Sequence, residues 1–126
     1  DNNRKARMEF INNIVNNDYS ICMRGAGNYS IRFYETLCLG RIPIFINTDC
    51  ILPFEDIINW KKHCIWIEES EIQNMEEKIV EFHQNINNSD FLELQQKNRI
   101  IWEKYFSLYG FNEQLYLFIK KNNINN

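Results

Sequence analysis

Apolar side chains recur at helical spacing near the start of the chain, where Phe10, Ile11, Ile14 and Val15 fall on one face. This pattern predicts a helix within residues 4–17, and the polar run around its end terminates it.

Three short, strongly apolar runs have the length of strands rather than of helices. They are residues 19–23, 42–46 and 63–67. Pro43 lies in the second run and is tolerated there only because it is near the start of the strand. The residues between the second and third runs, 47–60, are expected to form a long loop with one helical turn at 55–59.

The segment after the first strand is predicted to contain a loop and then a helix. Two glycines within residues 24–28 would weaken any regular element and therefore indicate a loop. A helix is expected from about Ser30 to Leu39, with Ser30 as its N-cap and Gly40 in the left-handed position that follows the helix.

The second half of the chain is predicted to be helical. Ser70 and Gln73 match a capping box, and the apolar positions after Ser70 repeat every three or four residues. Those positions are Ile72, Met75, Ile79, Phe82 and Ile86, after which Asn87 and Asn88 break the pattern. A further helix is expected over residues 90–107, and a last one, after Gly110, over residues 112–121.

Strands that alternate with helices predict βαβ units and a parallel sheet with helices on its faces. We expect an α/β fold, a Rossmann-like parallel sheet of few strands flanked by helices, with a C-terminal helical segment. Residues 1–121 should form this single domain, a fragment of a larger protein, and residues 122–126 a disordered tail. In open parallel sheets, ligands bind where the carboxyl ends of the strands meet.

Composition narrows the class of partner. The chain has 14 Lys and Arg against 17 Asp and Glu, a net charge of −3, which argues against a domain that binds the nucleic acid backbone. No apolar run reaches the roughly 18 residues that indicate a membrane span.

The four cysteines are widely spaced and contain no C-x-x-C pair. They are Cys22, Cys38, Cys50 and Cys64. This spacing favours buried free thiols in a reducing compartment, with a single disulfide as the main alternative and a zinc site disfavoured. We expect a cytoplasmic location, or the Golgi lumen if the parent protein is eukaryotic.

The candidate chemistry lies in residues 24–35, which follow a strand and open a helix. This arrangement turns unpaired backbone N–H groups toward an anion. Gly25 and Gly27 would let the backbone approach a phosphate closely, and the hydroxyl of Ser30 can donate to it.

Two arginines bracket this loop. Arg32 falls in the first helical turn, where a cation interacts unfavourably with the helix dipole. This destabilises the helix by about 0.3–1 kcal/mol unless an anion binds beside it. With Arg24, Arg32 would clamp a diphosphate between planar guanidinium groups. Glu35, one turn further on, is placed to accept the hydroxyls of a ribose. The alternative is a plain surface ion pair between Arg32 and Glu35, worth about 0.2–0.5 kcal/mol.

The same loop partly matches the dinucleotide-binding fingerprint, as G-x-G-x-x-S, with Asp49 at about the distance of the ribose-binding acid. The chain is too short for both mononucleotide-binding halves. A nicotinamide or flavin dinucleotide is therefore a minor alternative.

Several separated motifs between Ile21 and Trp60 resemble those of the exostosin-like glycosyltransferases. The matching segments are Arg24-Gly25, Ser30-x-Arg32-Phe33-x-Glu35-x-Leu37, Gly40-x-Ile42-Pro43-Ile44, Leu52-Pro53-Phe54 and Ile58-Asn59-Trp60. The resemblance continues weakly through residues 69–86. Motifs in the same order are far more specific together than any one of them alone.

This resemblance implies the C-terminal, donor-binding half of a GT-B enzyme that transfers a sugar with inversion from a nucleotide diphosphate, most simply UDP. The implied site comprises Arg24, Ser30 and Arg32 at the diphosphate, Glu35 at the ribose, and Asn47, Thr48 and Asp49 on the donor-sugar side. The N-terminal domain, which would bind a glycan or glycoconjugate acceptor, is missing. By itself the chain is expected to be inactive.

No catalytic residue is assigned. A base must take the proton of the acceptor hydroxyl, and Asp49 and Glu55 fit solvated loop positions better than that task. The chain has no Asp-x-Asp motif, and the resemblance implies an enzyme without a metal or other cofactor, in which positive charge stabilises the departing diphosphate. Arg41 stands where the family usually has a small or apolar residue, which leaves the identity of the donor open.

Two other functions remain open. One is a non-catalytic module that keeps the nucleotide pocket, and the other is a protein-interaction domain that uses its aromatic C-terminal helices. The aromatic residues in question are Trp102, Tyr105, Phe106, Tyr109, Phe111, Tyr116 and Phe118. Their number indicates either a core or an interface with a missing domain.

Overall fold

The structure, a computed structural model, describes residues 2–123 and confirms the α/β class. Its parallel sheet has the order β1-β2-β3, with β1 at Tyr19–Cys22, β2 at Ile42–Asn47 and β3 at Ile65–Glu68. The α-helices in this range are α1 at Asn2–Val15, α2 at Ile31–Cys38, α3 at Met75–Asn85, α4 at Asn88–Ile101 and α5 at Leu108–Asn123. The fold is thus a Rossmann-like half-domain, a small open sheet flanked by helices.

The central strand β2 is apolar along nearly its whole length because both of its faces are covered. Ile42, Ile44 and Ile46 point to one face, where side chains of α3 and α4 pack on them. Phe45 points to the other face and packs against residues of α2. Pro43 is the second residue of this strand, near its start as the sequence predicts.

The helix α2 crosses from β1 to β2 and sets the geometry of the corner discussed below. Ser30 is its N-cap in an extended conformation. At the other end Gly40 adopts φ 63°, its N–H donates to the carbonyl of Leu37, and the N–H of Arg41 donates to that of Thr36. These two bonds form a Schellman motif, which confirms the predicted glycine cap.

The predicted capping box at Ser70 and Gln73 is wrong. The strand β3 runs to Glu68, and the chain turns directly into a 3₁₀-helix at Glu69–Asn74. Glu68 therefore becomes the cap, and the side chain of Glu71 accepts from its backbone N–H. The α-helical part, α3, begins only at Met75.

The C-terminal helices also differ from the prediction. The α-helix α4 is followed by a π-helical segment at Trp102–Phe106, and Ser107 is the C-cap of this segment. Gly110 does not separate two helices, because α5 begins at Leu108 and contains it. The helix continues through residue 123, where a tail was predicted from residue 122, and residues 124–126 lie outside the described range.

The first helix, α1, is tied to this body near its C-terminal end. Ile14 is fully buried. The guanidinium of Arg41 donates to the carbonyl of Val15 at 2.7 Å, which fixes the C-terminus of α1. Across residues 2–123, no helix combines the length and apolar character that crossing a bilayer requires.

Candidate functional site

The corner between β1 and α2 is a closed loop rather than an open coil. The N–H of Gly25 donates to the carbonyl of Tyr29 at 3.0 Å, and the N–H of Tyr29 donates to that of Gly27 at 2.9 Å. A Cβ built on Gly25 would meet no atom within 4 Å, so the backbone there borders open space. On Gly27 it would contact the ring of Tyr29.

This loop is anchored to the carboxyl end of β2 by a reciprocal pair of hydrogen bonds. The amide of Asn28 donates to the carbonyl of Thr48 at 3.0 Å, and the hydroxyl of Thr48 donates to the amide oxygen of Asn28 at 2.6 Å. The pair holds the loop beside the edge where ligands bind in parallel sheets. Thr48, predicted on the donor-sugar side, is therefore in direct contact with the predicted diphosphate loop.

The N-terminus of α2 carries groups that an anion could use. The backbone N–H of Phe33 donates to the carbonyl of Ser30, whereas those of Ile31 and Arg32 belong to the first turn and have no intrahelical acceptor. Ser30 is only 7% exposed, and within residues 2–123 its hydroxyl has no hydrogen-bond partner. A buried hydroxyl without a partner is costly unless something binds it.

The two arginines predicted to clamp a diphosphate do not share a contact within the described residues. Arg24 is exposed in the loop. Arg32 lies against α1, where its guanidinium is 4.5 Å from the ring centroid of Phe10 and donates to the side chain of Asn13 at 3.3 Å. The stacking holds the guanidinium in place and leaves several of its N–H groups for other acceptors.

Glu35 also lies against α1. It accepts from Arg7 at 2.6 Å, so the surface pair between Arg32 and Glu35 that the sequence left open is not the one that forms. About a fifth of the Glu35 side chain is exposed, 22%. Sequence reasoning missed Arg7 and Asn13, because a contact between helices that are far apart in the chain leaves no local pattern.

A second polar group occupies the carboxyl ends of β2 and β3. Asn47 and Glu68 are register partners across the parallel strands, and the amide nitrogen of Asn47 donates to Glu68 at 2.7 Å. The indole of Trp66 donates to the other carboxylate oxygen at 2.7 Å. These two hydrogen bonds, with Lys61 nearby, hold the pKa of Glu68 below its usual value.

Glu68 was not predicted as a site residue, although a sequence signal for it existed. A carboxylate that directly follows a buried strand of a parallel sheet lies at the same edge as the residues after its neighbours. The third strand was predicted to end at Ile67, so Glu68 fell outside it. Asp49, which was predicted for this edge, is exposed and takes a left-handed φ of 56°, a conformation that aspartate tolerates.

Two grooves lie away from this corner. One of about 620 Å³ runs along β3 and α3, and another of about 370 Å³ follows the loop after β2. Trp66 and Lys61 line both grooves. None of the residues predicted to bind diphosphate lines either of them.

Each of the four cysteines is a free thiol. Burial raises the pKa of Cys22 and of Cys64 to about 12, so both are protonated and unreactive in the folded protein. Within residues 2–123, no three His, Cys, Asp or Glu side chains come together as metal ligands would.

The three-stranded parallel sheet, its flanking helices and the corner between β1 and α2 together define a Rossmann-like α/β half-domain. The family model described as the Exostosin GT47 domain matches residues 1–82. The chain therefore belongs to the Exostosin GT47 family, a family of glycosyltransferases.

Individual relatives agree with this assignment. Exostosin-1 of Drosophila melanogaster is 29% identical over 106 residues, which cover 84% of this chain and 13% of the relative. Exostosin-1 of Bos taurus is 27% identical and Exostosin-1b of Danio rerio 25%, each over 107 residues, 85% of this chain and 14% of the relative. The chain thus spans about one-seventh of the length of these relatives.

Proposed function

We propose that this chain is the donor-binding half of an inverting glycosyltransferase of GT-B architecture, and that its donor is a UDP-sugar. The observation that carries the proposal is the corner between β1 and α2. There, a helix N-terminus with free amides, the unpartnered hydroxyl of Ser30 and the exposed guanidinium of Arg24 adjoin one anchored loop. Family membership supplies the sugar chemistry.

In this proposal the diphosphate lies over the loop and the first turn of α2. The amide of Gly25 is already committed to Tyr29, so its contribution is room for the phosphate and not a hydrogen bond. Gly27 keeps the loop tight, Ser30 donates its hydroxyl, and Arg24 and Arg32 supply charge.

The contacts of α1 preorganise the other end of the site. Phe10 and Asn13 hold Arg32 in one orientation, and Arg7 holds one carboxylate oxygen of Glu35. The second oxygen of Glu35 remains for a ribose hydroxyl, since a carboxylate accepts at about four lone-pair positions. Asn47, Thr48 and Asp49 then lie on the donor-sugar side.

The proposed chemistry needs no metal ion. As the bond from the sugar to the diphosphate breaks, negative charge develops on the leaving group, and the guanidinium groups with the helix N-terminus stabilise it. A base and an acceptor site, for a glycan or glycoconjugate, are assigned to a separate N-terminal domain. The isolated chain is therefore expected to bind the donor without transferring the sugar.

Titration calorimetry with UDP tests the donor site. We expect UDP to bind, and we expect Arg24→Ala, Arg32→Ala and Glu35→Ala each to weaken binding by about tenfold or more, because each removes a charge-assisted hydrogen bond. Chelation of divalent cations with EDTA should leave the affinity unchanged. Arg4→Ala is the matched control, since it removes an exposed guanidinium from α1 without touching the corner.

The results separate the candidate functions. Absence of UDP binding, or equal binding by all four variants, would overturn the donor-site proposal. A protein-interaction module has one observation in its favour, the exposed aromatic and aliphatic side chains of α5. That function predicts association through α5 whether or not UDP binds.

A further inference from the structure

We infer that Glu68 is a positioning residue that fixes the side-chain amide of Asn47 with its oxygen free, so that the oxygen accepts a hydrogen bond from a hydroxyl of the donor sugar. This inference rests on the proposed function. It assigns a role to a residue that lies outside the family motifs, and it names the group on the sugar that the site would select.

The backbone brings the two side chains together. Asn47 and Glu68 are the last residues of neighbouring parallel strands and are paired in register. Side chains of such partners lie on the same face of the sheet, within hydrogen-bonding distance. The observed distance of 2.7 Å between the amide nitrogen and the carboxylate is that of a charge-assisted hydrogen bond.

The carboxylate is itself held at both oxygens. Trp66 donates to one oxygen and Asn47 to the other, and the cap of the following 3₁₀-helix uses the same side chain. Glu68 therefore cannot rotate without breaking several contacts at once. Its lowered pKa keeps it ionised at neutral pH.

An ionised carboxylate accepts hydrogen bonds and cannot donate them. The amide nitrogen of Asn47 must consequently face Glu68, and the flipped orientation, with oxygen against oxygen, is excluded. Within residues 2–123, the amide oxygen of Asn47 accepts no hydrogen bond, and the side chain is only half-buried. At the carboxyl end of β2 the side chain of Asn47 thus presents its oxygen, a hydrogen-bond acceptor. A sugar hydroxyl can donate to this oxygen, whereas a ligand group that only accepts hydrogen bonds cannot.

Paired titrations of one protein sample isolate the sugar contact. The affinity for UDP reports the nucleotide site, and the ratio of the affinities for UDP-glucose or UDP-galactose to that for UDP reports the sugar side. In the wild type we expect the better UDP-hexose to bind about tenfold more tightly than UDP. Glu68→Gln should bring this ratio close to one while changing the UDP affinity less than about twofold.

Glu68→Gln keeps the size of the side chain and an oxygen for the cap, but its amide accepts either orientation of Asn47. Glu69→Gln is the matched control, because it removes the same charge one residue further on, from an exposed side chain. It should leave both the UDP affinity and the ratio unchanged.

Asn47→Asp gives a readout that a merely structural role would not change. Two carboxylates at this distance share a proton, so one of them has a raised pKa. At low pH the shared proton holds the introduced carboxyl group against Glu68, so that one of its oxygens stays in place as acceptor for the sugar hydroxyl. At higher pH both groups are ionised and repel each other, and the acceptor is no longer held there. The ratio should therefore fall as the pH rises across about 5 to 8. The wild-type ratio should stay flat over that range.

Nuclear magnetic resonance tests the orientation without any ligand. We expect the side-chain amide protons of Asn47 to be protected from solvent exchange in the wild type and in Glu69→Gln, and exposed in Glu68→Gln. Absence of UDP binding would remove the proposed function, while this measurement still decides the hydrogen bond. Three results would overturn the inference. They are unprotected amide protons of Asn47 in the wild type, an unchanged affinity ratio in Glu68→Gln, and an equal loss of UDP and UDP-hexose binding in Glu68→Gln.

Discussion

The buried side-chain amide of Asn98 joins β2, the entry to β3 and α4. Its nitrogen donates to the carbonyls of Arg41 and His63, at 3.1 and 3.0 Å, and its oxygen lies 3.1 Å from Nδ1 of His63. Because the nitrogen faces two carbonyls, the oxygen faces the ring and accepts from Nδ1, which fixes the tautomer of the neutral imidazole. This arrangement gives His63 a structural role.

His63 makes the stability of the domain depend on pH. Burial lowers the pKa of its imidazole below the usual 6.5, with Lys97 and Lys62 acting in the same direction and the hydrogen bond that Nδ1 donates to Asn98 opposing them. Below about pH 6.5 the unfolded chain takes up a proton that the folded chain does not. The free energy of unfolding should therefore fall as the pH is lowered through this range, by at most about 1.4 kcal/mol per pH unit.

Urea titrations between about pH 5 and 8 measure this dependence, which should end once the folded-state His63 is itself protonated. His63→Gln should flatten the part of the profile just below neutrality. His83→Gln is the control, because it leaves His63 in place and should retain the slope of the profile just below neutrality. An unchanged profile in His63→Gln would contradict the assignment of this titration to His63.

At the scale of elements, the predictions succeeded where the determining residues are neighbours in sequence. The apolar run of β2 and the glycine cap of α2 are local, and both were predicted correctly. The cap at Glu68 was missed because it depends on where β3 ends, which is decided by pairing with β2. In the candidate site, the corner was predictable, but the contacts of Arg32 and Glu35 with α1 were not, since they require packing between distant helices.

The π-helical segment explains why Gly110 lies inside α5. A Cβ at this position would overlap the carbonyl oxygens of Glu103 and Lys104. The first turn of α5 can therefore pack against the π-helical segment only if residue 110 has no side chain. An alanine at a helical glycine normally stabilises by roughly 0.5–1 kcal/mol. We expect Gly110→Ala instead to destabilise by about 1–3 kcal/mol, because the segment must move apart from α5.

Urea denaturation checks the sign of this change. Gly25→Ala serves as the comparison, since its Cβ would enter open space and should alter the free energy of unfolding by less than about 1 kcal/mol. A neutral or stabilising effect of Gly110→Ala would mean that the close approach is not a feature of the folded protein.

Considered as a whole, the molecule consists of a packed α/β body and a helix that adds little to it. The sheet, α2, α3, α4 and the π-helical segment form the two core clusters, one on each face of the sheet. The contacts of α5 are concentrated on the π-helical segment next to it. All of its large apolar side chains are exposed: Leu108, Tyr109, Phe111, Leu115, Tyr116, Leu117, Phe118 and Ile119. A helix that is apolar on most sides is normally buried.

A chain that ends after Ser107 should therefore retain the fold. Because Tyr105 belongs to the core whereas the apolar side chains of α5 are exposed, we expect removal of α5 to leave cooperative unfolding intact and to lower the free energy of unfolding by about 1–3 kcal/mol, through the loss of its contacts with the π-helical segment. The shortened chain should bind less of a hydrophobic dye and associate less with itself, as measured by fluorescence and by sedimentation. A chain that ends after Ile101 is the control, because it also removes Tyr105 from the core and should lose cooperative unfolding. If the chain ending at Ser107 unfolds as that control does, α5 is part of the cooperative body and its apolar surface contributes to the fold of this chain.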